Sequence, residues 1–308
     1  AAVEAFKTVS CVNLYVLYPH GRISKIQRMQ MTTSNANNIK VFAVKGTFDD
    51  CQSIVKGLFA DKDLVQDVNL SGVNSINWAR ILVQIVYYFS AFYQMKDFSE
   101  RKLSFSVPTG NFGDAYAGYL SKKMGLPINK IIVATNKNDI LDRVFKTGIY
   151  KSSNVSKTIS PSMDIQVASN FERLLFNLLN NDTNEVSKLM NKLSNKGSFN
   201  LDKEITSLIS KDFDSSAVTD DETIATIDHF FKQREIILCP HSAIGVRVAQ
   251  AFVDKGETVV SLGTAHPAKF KETVESALDR SIQIPPALKD VIKKQESVKV
   301  MPPNQDIV

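Results

Sequence analysis

Two short stretches of this 308-residue chain have the residue types of anion sites. Thr109-Gly110-Asn111-Phe112-Gly113 follows a run of apolar or small residues, Leu103 to Val107, that reads as a short buried strand closed by Pro108. Beyond it Ala115, Ala117, Tyr119, Leu120 and Met124 recur at helical spacing up to Gly125, with Pro127 just after. Two glycines let the backbone turn sharply and approach a ligand, and a helix N-terminus presents unpaired N–H groups. A phosphate is the natural tenant of such a junction. An ordinary Gly-Asn turn, needing no ligand, is the alternative. The second stretch, Asn74-Ser75-Ile76-Asn77-Trp78-Ala79-Arg80, opens another helix. Asn74 or Ser75 can cap it, and Arg80 can reach back along one face. A guanidinium beside Asn and Ser at a helix start suits a second phosphate; plain capping is the alternative.

Two further junctions carry polar groups. "SLGTAHPAKF" sets Thr264 just past a buried strand. Its hydroxyl either caps the next helix or offers a neutral hydrogen bond at the carboxyl end of a parallel sheet, where such folds bind ligands. In "CPHSAIG", Cys239 to Gly245, His241 reads as a capping or buried histidine. The sequence has no Gly-x-Gly-x-x-Gly after a strand, Walker loop, Gly-x-Ser-x-Gly elbow or His-Glu-x-x-His. That argues against a nicotinamide dehydrogenase, a P-loop enzyme and a serine hydrolase.

The elements that must hold these stretches read as an alternation of strand and helix. Val12 to Tyr18 reads as a strand, Ile23 to Met31 as an amphipathic helix and Val41 to Val44 as a second strand. Thr47 then caps a helix whose apolar face is Phe48, Cys51, Ile54, Val55, Leu58 and Phe59, with Asp50 completing a capping box. Such alternation implies a parallel sheet. A long helix follows, apolar at Trp78, Ile81, Leu82, Ile85, Val86, Phe89 and Phe92, and is expected to be buried between layers or domains. After the 103–125 strand and helix come a strand at Ile131 to Ala134 and a helix from about Asp139 to Lys146, stopped at Gly148. From Ser152 to about Gln233 the pattern is polar and helical, without strands, and reads as an insertion. Strands resume at Glu235 to Leu238 and Thr258 to Leu262, and "ESVKVMPPNQDIV" reads as a poorly ordered tail.

Hydrophobic content of 44% and charged content of 22% are those of a soluble globular protein with room for one large or two modest domains. The net charge is +5, but basic residues never run beyond pairs, which argues against a nucleic-acid surface. No apolar stretch is long enough to span a bilayer. Cys11, Cys51 and Cys239 sit in apolar patterns and read as reduced core residues, and the four histidines lack the spacing of a zinc site.

Seven blocks carry a resemblance. "YPHGRISKIQRMQMTT", "VNSINWARILVQ", "VPTGNFGDAYAGYLSKKMGLPI", "ATNKNDILDR", "SPSMDIQVASNFERLL", "CPHSAIGV" and "GTAHPAKF" resemble, in this order, threonine synthase and the animal threonine synthase-like proteins, over residues 1 to about 275. The resemblance implies pyridoxal 5'-phosphate as cofactor and the α/β architecture of tryptophan synthase β-like, fold type II pyridoxal-phosphate enzymes. Such a fold has two doubly wound domains, the first incomplete here, with a helical insertion in the second. It implies O-phosphohomoserine as substrate, giving threonine and phosphate. Some animal members resemble phospho-lyases, which leave 2-oxobutyrate, phosphate and ammonia. "MDIQV" and "CPHSA" lean toward the animal type, whereas "TGNFGD" fits synthases. By the same resemblance Gly110, Asn111, Phe112 and Gly113 cradle the cofactor phosphate, Asn74, Ser75 and Arg80 hold the substrate phosphate, and Thr264 bonds the pyridine nitrogen. A hydroxyl does not hold that nitrogen protonated, so the electron sink is moderate, which suits elimination and replacement better than transamination.

The family's Schiff-base lysine lies in Ser-Phe-Lys-Asp, followed by Ser-Gly-Asp-Thr-Gly. Neither motif is present, and both are expected upstream of Ala1. Lys7 in "EAFKTV" and Lys269 in "PAKFKE" are superficial look-alikes. The opening "AAVEAFKTV" reads as a chain cut inside a domain. The expected organisation is a remnant of a smaller α/β domain at 1–70, a cofactor-binding domain at 71–280 with its insertion at about 152–233, and a tail at 281–308. The chain is thus expected to derive from a cytoplasmic lyase, monomeric or homodimeric. That lyase would act on a small phosphorylated amino acid, without nucleic acid, membrane or metal, and with no catalytic residue inside these 308 positions. A non-catalytic phospho-ligand-binding or interaction protein derived from such an enzyme is the alternative.

Overall fold

The structure is a computed structural model and describes residues 2–95 and 103–304, so Ala1 and the end of the expected tail, 305–308, lie outside the described residues. The chain divides into two compact units, 1–72 with 266–308, and 73–265. The first unit opens with α1 (Ala2–Phe6), β1 (Leu14–Pro19), α2 (Lys25–Thr32), β2 (Ile39–Val44), α3 (Phe48–Ala60) and α4 (Lys62–Val68). The second begins with α5 (Trp78–Gln94), β3 (Leu103–Pro108), α6 (Gly113–Lys123), β4 (Ile128–Thr135), α7 (Ile140–Thr147), β5 (Ile149–Lys151) and α8 (Phe171–Leu178). It continues through α9 (Thr183–Lys196), β6 (Ser198–Asn200), α10 (Lys203–Asp212), β7 (Phe213–Ala217), α11 (Asp220–Arg234), α12 (Pro240–Val253) and β8 (Thr258–Ser261). The chain then returns to the first unit with α13 (Lys271–Leu278), α14 (Pro286–Val291) and β9 (Lys299–Met301).

In the first unit β1, β2 and β9 form a parallel sheet, with Leu14 opposite Ile39 and Phe42 opposite Lys299. Capping boxes start two of its helices: Ser24 with Gln27 for α2, and Thr47 with Asp50 for α3. The expected disordered tail is corrected here. Met301 is buried with Phe42, Val44, Cys51 and Ile54, and Arg28 forks onto Glu296 at 2.8 and 2.9 Å. Thr32 adds a hydroxyl donor to Glu296 at 2.7 Å. One buried side chain and a fixed carboxylate are enough to order a segment whose sequence is otherwise polar. Cys11 is also corrected: it is exposed, whereas Cys51 and Cys239 are buried.

The second unit holds a parallel sheet of order β7-β4-β3-β8. Period-two alternation assigns its faces. Ile131 and Val133 join Phe105, Val107 and residues of α5, α6, α7 and α8 on one side, while Ile132 and Ala134 meet Ile244, Val248 and Phe252 of α12 on the other. Both faces are therefore covered by helices, as a parallel sheet requires. From β3 the chain builds outward through β4 to β7, then returns to place β8 on the opposite flank of β3. The strand order thus reverses beside β3.

Three expectations fail in this unit. The 152–233 segment is not free of strands: β7 pairs with β4, Phe213 opposite Ile131, and β5 pairs antiparallel with β6. Residues 235–238 form no strand, because Glu235 sits at φ 56° as the C-cap of α11 and Cys239 already caps α12. Helix α5 is not buried all round. Ile81, Ile85 and Tyr88 are buried, with Tyr88 lying so close to α6 that a Cβ on Gly118 would meet its ring at 2.7 Å. Leu82, Val83, Val86, Tyr87 and Tyr93, on the opposite stripe, are exposed.

Candidate functional site

The site is built at the carboxyl end of β3. Thr109 N–H still donates to the Ala134 carbonyl at 3.0 Å, after which the Thr109 hydroxyl accepts from Phe112 N–H at 3.0 Å and tightens the turn. Phe112 takes a left-handed conformation, φ 64°, rare for an aromatic residue. Its ring, fully buried, is held among Phe145, Phe171 and Phe213 at centroid distances of 5.6–5.9 Å. That packing is the force that sustains the turn. Phe112 is also the N-cap of α6 and places no side chain on the helix start. The first amides of α6 are left as donors for a ligand. Gly110 has a structural reason of its own: a Cβ there would lie 3.0 Å from Ile165 Cδ1 and 3.1 Å from Met163 Cα. The glycine admits the 160–165 turn as well as any ligand.

That turn is fixed by a buried carboxylate. Asp164 accepts from Asn136 Nδ2 at 2.9 Å, Asn138 Nδ2 at 3.0 Å, the Thr158 hydroxyl at 2.6 Å and Thr158 N–H at 3.0 Å. Burial nevertheless holds its carboxyl above the usual range. His241 Nε2 accepts from Ser162 N–H at 3.2 Å, so this histidine supports the same turn. At the helix start itself, burial pushes Asp114 up to about 6, opposed by the hydrogen bond from Tyr88.

The second stretch reaches this helix start. Ser75 Cβ lies 3.4 Å from where a Cβ on Gly113 would stand, and Ile81 Cδ1 is equally close. The N-cap of α5 is Asn77, accepting from Ala79 N–H at 2.9 Å, not Asn74 or Ser75 as expected. The Asn74 side chain instead accepts from Ile76 N–H at 3.0 Å. Arg80 does reach back, donating to the Val73 carbonyl at 3.0 Å, with its side chain exposed. The third element, Thr264, follows β8. Leu262 N–H donates to the Ser106 carbonyl at 3.0 Å, so β8 and β3 run on in parallel and release Thr264 and the glycine loop at the same end of the sheet. Thr264 caps no helix; the next one is capped by His266. Its hydroxyl lies 3.1 Å from Ser242 Oγ and 3.3 Å from Cys239 Sγ, and its N–H donates to Ser242 Oγ at 3.0 Å. Among the described residues, nothing beyond its own chain neighbours lies within 4 Å of where a Cβ on Gly263 would stand, so there is open space next to Thr264 in the chain.

Two contributors escaped the sequence reading. Asn170 N–H and Nδ2 both donate to the Asn111 carbonyl at 3.1 Å. Arg173 donates through Nε to Asn170 Oδ1 at 3.0 Å and through a terminal nitrogen to the Ile76 carbonyl at 2.7 Å. Both lie in "SNFERLL", where an Asn and an Arg three apart at a helix start were the available signal. Lys7 pairs with Glu4 at 2.6 Å, and Lys7 and Lys269 both belong to the other unit. Among the described residues no three His, Cys, Asp or Glu cluster as metal ligands would, and no helix is long and apolar enough to cross a membrane.

A parallel α/β sheet whose order reverses beside a glycine loop, an uncapped helix start and a neutral hydroxyl is the architecture of the tryptophan synthase β-like, fold type II pyridoxal-phosphate enzymes. The solved structure of pyridoxal-phosphate-bound threonine synthase from Brucella melitensis superposes with a TM-score of 0.87 at 45% identity, covering 99% of this chain and 66% of that one. Threonine synthase from Pseudomonas aeruginosa is 44% identical over 304 residues, 98% of this chain and 65% of that protein. The Saccharomyces cerevisiae threonine synthase is 46% identical over 297 residues, 90% of this chain and 58% of that protein. Residues 242–308 match the family model described as threonine synthase, C-terminal. The chain belongs to the threonine synthase family, and it spans about three-fifths of the length of these two relatives.

Proposed function

We propose that the whole protein is a pyridoxal-phosphate-dependent threonine synthase, converting O-phosphohomoserine and water to threonine and phosphate. The observation that carries this reading is the approach of Ser75 to Gly113, because it brings both anion stretches to one helix start. The α6 amides from Gly113 onward receive the cofactor phosphate, with Gly110, Asn111 and Phe112 shaping the loop around it. Asn74, Ser75 and Arg80 receive the phosphate of the substrate, Arg80 through charge-assisted hydrogen bonds. The Thr264 hydroxyl, steadied by Ser242 and Cys239, meets the pyridine nitrogen. When bound, the cofactor supplies the electron sink that lets charge leave the substrate's carbon framework. The Ser-Phe-Lys-Asp lysine expected to carry it is not among these 308 residues.

The test is an assay of the whole protein with O-phosphohomoserine and pyridoxal phosphate, following phosphate, threonine and 2-oxobutyrate. Equal release of threonine and phosphate is the expected result. Release of 2-oxobutyrate and ammonia with the phosphate would make the protein a phospho-lyase. No phosphate release would leave a binding protein without turnover and overturn the proposal.

A further inference from the structure

The segment that opens α8 grips both anion stretches at once. On one side the Asn111 carbonyl accepts from Asn170 twice, while the N–H of the same peptide unit, on Phe112, donates to the Thr109 hydroxyl. That peptide plane is fixed at both ends, immediately ahead of Gly113. On the other side the Ile76 carbonyl accepts from Arg173 at 2.7 Å, while the N–H of its peptide unit, on Asn77, donates to the Asn74 carbonyl at 3.1 Å. A side-chain hydrogen bond joins the two grips, from Arg173 Nε to Asn170 Oδ1 at 3.0 Å, beside a backbone bond from Arg173 N–H to the Asn170 carbonyl at 3.1 Å. The guanidinium also stands over the Trp78 ring, 5.4 Å from its centroid. Arg173 is half-buried, and among the described residues no carboxylate pairs with it. An unneutralised cation between two anion stretches offsets the repulsion that two phosphates would otherwise exert.

We propose that Asn170 and Arg173 form a brace that couples the two stretches, so that an anion at Gly110–Gly113 strengthens anion binding at Asn74–Arg80, and the reverse. This rests on the assignment of the two phosphates made above. Both residues are positioning residues: they act through the carbonyls of Asn111 and Ile76, and so through the direction of the amides beside them. Coupling between binding sites is reciprocal, so it can be read from either ligand.

The experiment measures pyridoxal phosphate affinity of the whole protein with and without saturating 4-phosphonobutyrate. This probe has neither an amino group to condense with the cofactor nor a phosphate ester to cleave. In the wild type the probe should tighten cofactor binding about fivefold or more, the lower end of ordinary coupling. Arg173→Gln and Asn170→Ala should each bring the ratio close to one, with unfolding midpoints recorded to confirm a folded protein. Arg173→Lys keeps the charge but cannot reproduce the fork, and should also lose most of the coupling. Full coupling in Arg173→Lys would assign the effect to charge alone and overturn the brace, as would an unchanged ratio in Arg173→Gln. A wild type that binds no cofactor would overturn the functional reading itself, which is a distinguishable result.

Discussion

Replacing Asp114 with asparagine should stabilise the protein at neutral pH and leave it unchanged near pH 4. Asp114 sits in the first turn of α6, where burial pushes its carboxyl from 3.8 up to about 6. The Tyr88 hydroxyl, 2.8 Å from the Asp114 carbonyl and 3.3 Å from its Oδ1, offsets only part of that. A carboxyl with a raised folded value favours the folded state when protonated. Its contribution is complete below the unfolded value and is lost as pH rises through about 6. The gap of roughly two units corresponds to about 3 kcal/mol at 1.36 kcal/mol per unit. Asparagine has nearly the same shape, keeps an acceptor for Tyr88 and cannot ionise. Asp114→Asn should therefore gain up to about 3 kcal/mol above pH 7, a gain that shrinks between pH 6 and 4 and then vanishes. Urea unfolding of both proteins at pH 4, 5, 6, 7 and 8 measures it. A difference independent of pH, or a less stable variant at pH 8, would refute the reasoning.

Three further substitutions separate packing from ligand contact. Gly110→Val should cost about 1–3 kcal/mol, because its side chain meets Met163 and Ile165, and it should also weaken cofactor retention during dialysis, followed by absorbance. Arg80→Ala should change stability by no more than about 0.5 kcal/mol, since the side chain is exposed, while raising KM for the phosphorylated substrate and leaving cofactor absorbance intact. Asp164→Ala should cost about 2 kcal/mol or more in urea unfolding, as Asn136, Asn138 and Thr158 would all lose a buried acceptor.

Legibility in the sequence followed how much each feature depends on distant residues. The β3–loop–α6 junction could be read because Leu103, Phe105 and Val107 alternate with small serines up to Pro108, and because Gly125 and Pro127 punctuate the helix end. The Thr47–Asp50 box could be read because a cap is a local motif. Strand β7 could not: "FDSSA" has one bulky apolar residue, and its place is set by pairing with β4. Strand β9 was missed for the same reason, being three residues anchored by Met301. The periodicity of α5 located an apolar helix but carried no information on what faces each stripe, and only one stripe is covered. The brace was illegible because Arg173 and Ile76 are 97 residues apart and meet through a backbone carbonyl, which leaves no side-chain signature.

The central claim is that the cofactor phosphate sits on the α6 start and the substrate phosphate beside it at Asn74–Arg80. A crystal structure of the protein with pyridoxal phosphate bound tests it directly. Phosphate density is expected against the amides of Gly113 and its neighbours, with the ring nitrogen within hydrogen-bond reach of Thr264 Oγ1, about 3 Å. Phosphate density on Ser75 and Arg80, with Thr264 still turned only to Ser242 and Cys239, would contradict it.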